Sequence, residues 1–95
     1  MVYLLWAQGT HRFKIGSTKG PVEKRVAAMQ TSSPFPLVIQ GVIEGSTGIE
    51  RRLHERLRNF RVVGEWFDLP EAIVWQVLTW FGRGDEVRKV TTCDA

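Results

Sequence analysis

The sequence predicts a small α/β domain: an antiparallel sheet of about three strands with about three helices packed on it. Three observations predict it. Residues 1–16 alternate in the two-residue period of strands around a central Gly9. Residues 37–43 form a mostly apolar run of strand length. Three further segments carry apolar residues at helical spacing.

In the first segment Tyr3, Leu5 and Ala7 fall on one face and Val2, Leu4 and Trp6 on the other. A loop over Gln8 to His11 sets the register of a hairpin with the second strand, residues 12–16. Leu5 then lies opposite Lys14 and Tyr3 opposite Gly16, so Tyr3, Lys14 and Gly16 share a face. That face is half polar, and Gly16 leaves the space before the Tyr3 ring open to a ligand or another backbone.

Gly20-Pro21 marks a helix start, with Val22, Val26 and Met29 as the buried stripe to about Gln30. Arg25 sits at the border of that stripe, where a charge needs a partner or a ligand. It either snorkels to the surface or offers its planar fork of donors to phosphate. Thr31 to Pro36 breaks the helix, and Leu37 to Ile43 reads as a central or well-covered third strand.

A second helix is expected from Gly45-Ser46-Thr47-Gly48 to about Phe60, with Ile49, Leu53, Leu57 and Phe60 inward. Glu50, His54 and Arg58 follow one edge of it, a ribbon placed to line a cleft. Thr47-x-x-Glu50 has the form of a capping box, which by itself accounts for Glu50. His54 suits an interface, a pair with Glu50, or a phosphate or water contact, and spacing does not choose among these. Gly64 to Phe67 reads as a turn and a short extended piece, with Trp66 and Phe67 as core. Asp68-Leu69-Pro70-Glu71 forms a second capping-box pattern, opening a third helix to about Phe81 before Gly82. Trp75 and Trp80 widen that helix's apolar surface, which suits a second copy or a fused partner. The domain is expected to span residues 1–82, with a polar tail over 83–95.

The chain of 95 residues has a formal charge of +3, yet nine of its 13 basic residues are Arg, and Arg51, Arg52, Arg56, Arg58 and Arg61 fall within eleven positions. Such a cluster is either a solvated helix face or a phosphate-binding surface. Cys93 is the only cysteine, which excludes an intrachain disulfide and a cysteine-based zinc site. A cytoplasmic protein without membrane association is expected, since no apolar run approaches a membrane span.

The strand ending in Tyr3, then Lys14-Ile15-Gly16, Arg25, Pro34-Phe35-Pro36-Leu37, Ile49-Glu50-Arg51-Arg52-Leu53-His54 and Gly64-Glu65-Trp66-Phe67, resembles in this order the GIY-YIG nuclease superfamily. It is most similar to the branch with Lys-Ile-Gly and a Glu-x-x-x-His helix, found in phage and restriction-like proteins. The resemblance implies an endonuclease that hydrolyses DNA phosphodiester bonds with one divalent cation, Mg²⁺ or Mn²⁺. It also implies Glu50 as the metal ligand and Tyr3, Lys14, Arg25, His54 and Glu50 as the catalytic set. Arg25, Arg51, Arg58 and Lys19 would contact nucleic acid, with RNA left open. Tyr3 would position or deprotonate the water, and Lys14 is the cation placed to lower its pKa from about 10. Met1-Val2 in place of Gly-Ile, Lys14 in place of a second Tyr, and Met29 where some members carry a His depart from the commonest pattern. The alternative is a binding or interaction module that keeps the fold without cleavage.

Overall fold

The structure, a computed structural model, describes residues 1–82; the expected polar tail and Cys93 lie outside the described residues. Strands β1 (Val2–Ala7) and β2 (Arg12–Ser17) form the hairpin in the register that the alternation requires, Tyr3 opposite Gly16 and Leu5 opposite Lys14. Helix α1 (Val22–Gln30), strand β3 (Leu37–Ile43) and helix α2 (Thr47–Arg56) follow. A short 3₁₀ turn over Arg58–Phe60 leads into β4 (Arg61–Val63) and β5 (Trp66–Asp68), and helix α3 (Glu71–Trp80) comes last.

The sheet has five antiparallel strands in the order β3-β1-β2-β5-β4, two more than the sequence suggested. The additional pair is a tight hairpin around Gly64, whose φ of 57° lies in the left-handed region that glycine tolerates without strain. β3 is an edge strand, not a central one. Its bulge opposite Leu4 and Leu5 lies where Gly41 and Ile39 pair with them, and bulges are common at sheet edges. α2 also stops a turn earlier than expected, because the chain tightens to 3₁₀ geometry after Arg56. Neither capping box forms. Ser46 caps α2 in place of Thr47, and α3 begins after Pro70 without a side-chain cap. Asp68 instead ends β5 facing Arg12 at 3.9 Å.

Successive strand residues point to opposite faces, so the hairpin divides the core in two. Val2, Leu4, Phe13, Ile15 and Phe67 pack on one side against Leu53 of α2, Leu57 just after it, and Val77, Leu78 and Phe81 around α3. Tyr3 and Leu5 pack on the other against Val22 and Val26 of α1. Helices therefore cover both faces, and groups from both sides meet at the end of β2, where Gly16 and Ser17 run past the residues paired with β5 and leave a local sheet edge.

Candidate active site at the sheet edge

Ser46 takes over the cap of α2, its hydroxyl accepting from the Gly48 amide at 3.2 Å, and this leaves the Glu50 carboxylate available for other partners. Glu50 Oε2 accepts a 2.6 Å hydrogen bond from the Ser17 hydroxyl, and Oε1 stands 3.7 Å from His54 Nε2. That nitrogen lies 2.8 Å from the Ile15 carbonyl oxygen. A carbonyl only accepts, so Nε2 carries a hydrogen and is not free to ligate a metal. The ring is further fixed by an edge-on contact with Phe67, centroids 5.0 Å apart.

Tyr3 is fully buried on the α1 side, and its hydroxyl has no hydrogen-bond partner of standard geometry among the described residues, although the Arg25 guanidinium stands near enough to favour its ionised form. Leaving a buried hydroxyl unpaired costs about 1–3 kcal/mol, a cost that Phe would avoid in the same space. The hydroxyl passes over Gly16, where a Cβ would lie 2.5 Å from it, so only glycine lets the phenol reach this point. The same Cβ position is 3.0 Å from Glu65 Oε1. Phenol and carboxyl thus flank the bare backbone of β2. Burial pushes the Tyr3 phenol above its ordinary value and the charges of Glu65 and Glu50 add to this, while the neighbouring Arg25 guanidinium pulls it back only in part. The expectation that Lys14 lowers this pKa is therefore corrected: the opposing cation is Arg25, and Lys14 Nζ faces Glu65 at 3.6 Å.

Glu65 is the site residue that sequence reasoning missed. It follows Gly64 in the β4–β5 turn, and its backbone carbonyl accepts from the Ile15 amide at 3.1 Å, which seats it beside β2. Burial opposes ionisation of Glu50, but hydrogen bonds from Glu65 and Ser17 and the nearby His54 and Lys14 outweigh it and hold that carboxyl below its ordinary value. Burial, then the hydrogen bond and charge of Glu50, push Glu65 up. The two carboxyls titrate as a coupled pair, and Glu65 holds its proton to higher pH than Glu50 does. The only sequence cue was the acid next to a turn glycine.

Glu50, His54 and Glu65 line a cleft of about 470 Å³ with Arg51, Arg58 and Arg61. Arg58 also bonds Glu55 at 2.9 Å. The arginine cluster divides, since the Arg56 guanidinium stands over the Trp80 ring at 5.6 Å. Tyr3 and Lys14 adjoin the cleft through Glu65, and Arg25 joins through Tyr3. Lys19 is exposed in the connection before α1 and does not line the cleft. The site straddles the sheet edge, with Tyr3 and Arg25 arriving from one face and Glu50 and His54 from the other.

Carboxyls with separated proton affinities, an unpaired buried phenol and a rim of guanidinium groups on a small α/β sheet describe a nuclease-like domain. The chain belongs to the T5orf172 domain family, whose model matches residues 1–82. This is a phage-associated domain related to GIY-YIG- and HNH-like nucleases and associated with endonucleases. No curated protein and no solved structure matches the chain. No helix among the described residues is long and apolar enough to cross a membrane.

Proposed function

We propose that the protein is a divalent-metal-dependent endonuclease of the Lys-Ile-Gly branch of GIY-YIG nucleases, hydrolysing phosphodiester bonds in DNA. The observation that carries this reading is the buried, unpartnered Tyr3 hydroxyl beside the Glu50–Glu65 pair. An orphaned donor beside a pair of carboxyl groups is what a site for water and a cation would offer.

The donors fit a hard cation. Among the described residues no three His, Cys, Asp or Glu side chains gather as a metal cage, and Mg²⁺ is commonly bound by one or two carboxylates with water and substrate phosphate completing its shell. Glu50, ionised and oriented by Ser17, would hold it, with Glu65 beside it. When bound, Mg²⁺ or Mn²⁺ would neutralise phosphoryl charge and stabilise the leaving 3′ oxygen.

The remaining work falls to the chain's own groups. Tyr3, its phenol pushed up, keeps its proton at neutral pH and orients the attacking water by hydrogen bonding. The water's proton passes to Glu65 in its ionised form, the carboxylate that shares the space over Gly16 with that hydroxyl. Arg25 neutralises the phosphate from the α1 side, while Arg51 and Arg58 hold the flanking backbone across the α2 side. His54 holds the geometry through the Ile15 carbonyl and Glu50. A plasmid-nicking assay with Mg²⁺, Mn²⁺ or chelator tests the reading. Metal-dependent conversion of supercoiled to relaxed DNA is expected, and salt-sensitive binding without cleavage would identify a non-catalytic binding module instead.

A further inference from the structure

A second cleft, of about 400 Å³, opens on the α1 side of the same sheet edge, between Lys14 and Trp66 and the loop that carries Phe35. We propose that this cleft receives an unpaired nucleobase next to the cleaved phosphodiester, so that the preferred substrate is DNA with a single-stranded stretch. This rests on the nuclease reading for its position beside the site, not for its chemistry.

Its walls have the composition that single-strand recognition needs. Trp66 is half-buried and Lys14 Nζ lies 5.8 Å from its ring centroid. Across the cleft Phe35 is 45% exposed, and Val63, paired with Trp66 in the β4–β5 hairpin, is 65% exposed. The exposure of Phe35 is built in. Its carbonyl accepts from Gln30 Nε2 at 2.9 Å and from the Ser33 hydroxyl at 2.8 Å, its amide donates to Ser33 Oγ at 3.2 Å, and prolines flank it on both sides. An apolar ring held in solvent by a braced backbone has already lost the entropy that binding would otherwise cost.

Charge selects the occupant. The lining includes Arg12 and Lys14, whose partners Asp68 and Glu65 stand outside it at 3.9 Å and 3.6 Å, and no carboxylate, which favours an anionic ligand with an aromatic face over an apolar peptide. The volume lies within the range of about 300–1,000 Å³ usual for small-ligand pockets. Stacking on aromatic rings with cations along the backbone is the general means of holding single strands, and it tolerates any base. The cleft also leads directly to the catalytic groups, because Lys14 faces Glu65 at 3.6 Å and Trp66 follows Glu65 in the chain.

The test measures binding of a short fluorescein-labelled oligothymidylate and of a matched duplex by anisotropy in chelator, for wild type and Phe35→Ala. Iodouracil photocrosslinking, mapped by mass spectrometry, runs beside it. Phe35 is a surface residue, and circular dichroism confirms that the variant folds. The expected result is a roughly tenfold fall in the ratio of single-strand to duplex affinity, with crosslinks on Trp66 or Phe35. An unchanged ratio, crosslinks confined to the arginines of α2, or no single-strand binding would overturn the proposal. So would a wild-type dimer that Phe35→Ala dissociates, which would assign the cleft to a second copy. Because binding is read without metal, plasmid cleavage by a protein that fails this test leaves the nuclease reading intact, and base binding by a protein that never cleaves leaves the pocket intact.

Discussion

The Ser17 hydroxyl donates a 2.6 Å hydrogen bond to Glu50 Oε2, joining the end of β2 to the first turn of α2. This bond fixes the carboxylate's direction, and it accounts in part for Glu50 being held ionised. Groups that orient a metal ligand typically contribute 10–100-fold to metal affinity or activity. Ser17→Ala should therefore reduce cleavage by about tenfold or more, with stability lowered by only about 1–2 kcal/mol. Rescue by raised Mg²⁺ or Mn²⁺ concentration in the nicking assay checks the assignment. Equal cleavage at limiting metal would contradict it.

Tyr3→Phe should separate folding from function. The phenol oxygen has no partner among the described residues, so its removal should leave stability unchanged or raise it by about 1 kcal/mol. Cleavage should fall by about a hundredfold, the scale of loss when an attacking group is mispositioned. Urea unfolding and single-turnover cleavage read the two effects separately. A variant less stable than wild type and equally active would show the hydroxyl to be structural.

The carboxyl pair should leave a mark on pH dependence. Glu65 is raised from an ordinary 4.5, so the folded state binds its proton more tightly than the unfolded chain does. The stability that this proton contributes is present below about pH 4.5 and is lost as pH rises through the folded value. Glu50 is lowered, and its contribution is present above its ordinary value and lost as pH falls through the folded one. Wild-type protein should thus lose stability as pH rises above about 4.5 relative to Glu65→Gln, which has no titrating group at that position. Denaturant unfolding of both proteins above pH 4.5 provides the comparison, and parallel curves would refute the raised proton affinity of Glu65.

Much of this arrangement was legible in the sequence, and the parts that were not have physical reasons. The hairpin register followed from the alternation around Gly9, because a slip of one residue in one strand would set its α1-facing side chains against the α2- and α3-facing side chains of the other. The bounds of β3 were equally plain, but its edge position was not, since coverage depends on which strands pair. β4 and β5 escaped because three-residue strands are too short to show a period, and all of β4 is exposed. Glu65 was lost with them, as its role depends on Trp66 pairing with Lys14 far away in the chain. The capping box at Glu50 failed because Ser46, one residue earlier, satisfies the helix end.

Glu50→Gln tests the central claim most directly. Gln keeps the shape and can still accept from Ser17, but it is a poor ligand for a hard cation. The variant should fold to within about 1 kcal/mol of wild type by urea unfolding. It should bind DNA at least as tightly, since a negative charge facing phosphate has gone. Single-turnover cleavage with Mg²⁺ should fall by more than the 10–100-fold expected for a residue that only supports a ligand. Cleavage by Glu50→Gln at the wild-type rate would contradict the account.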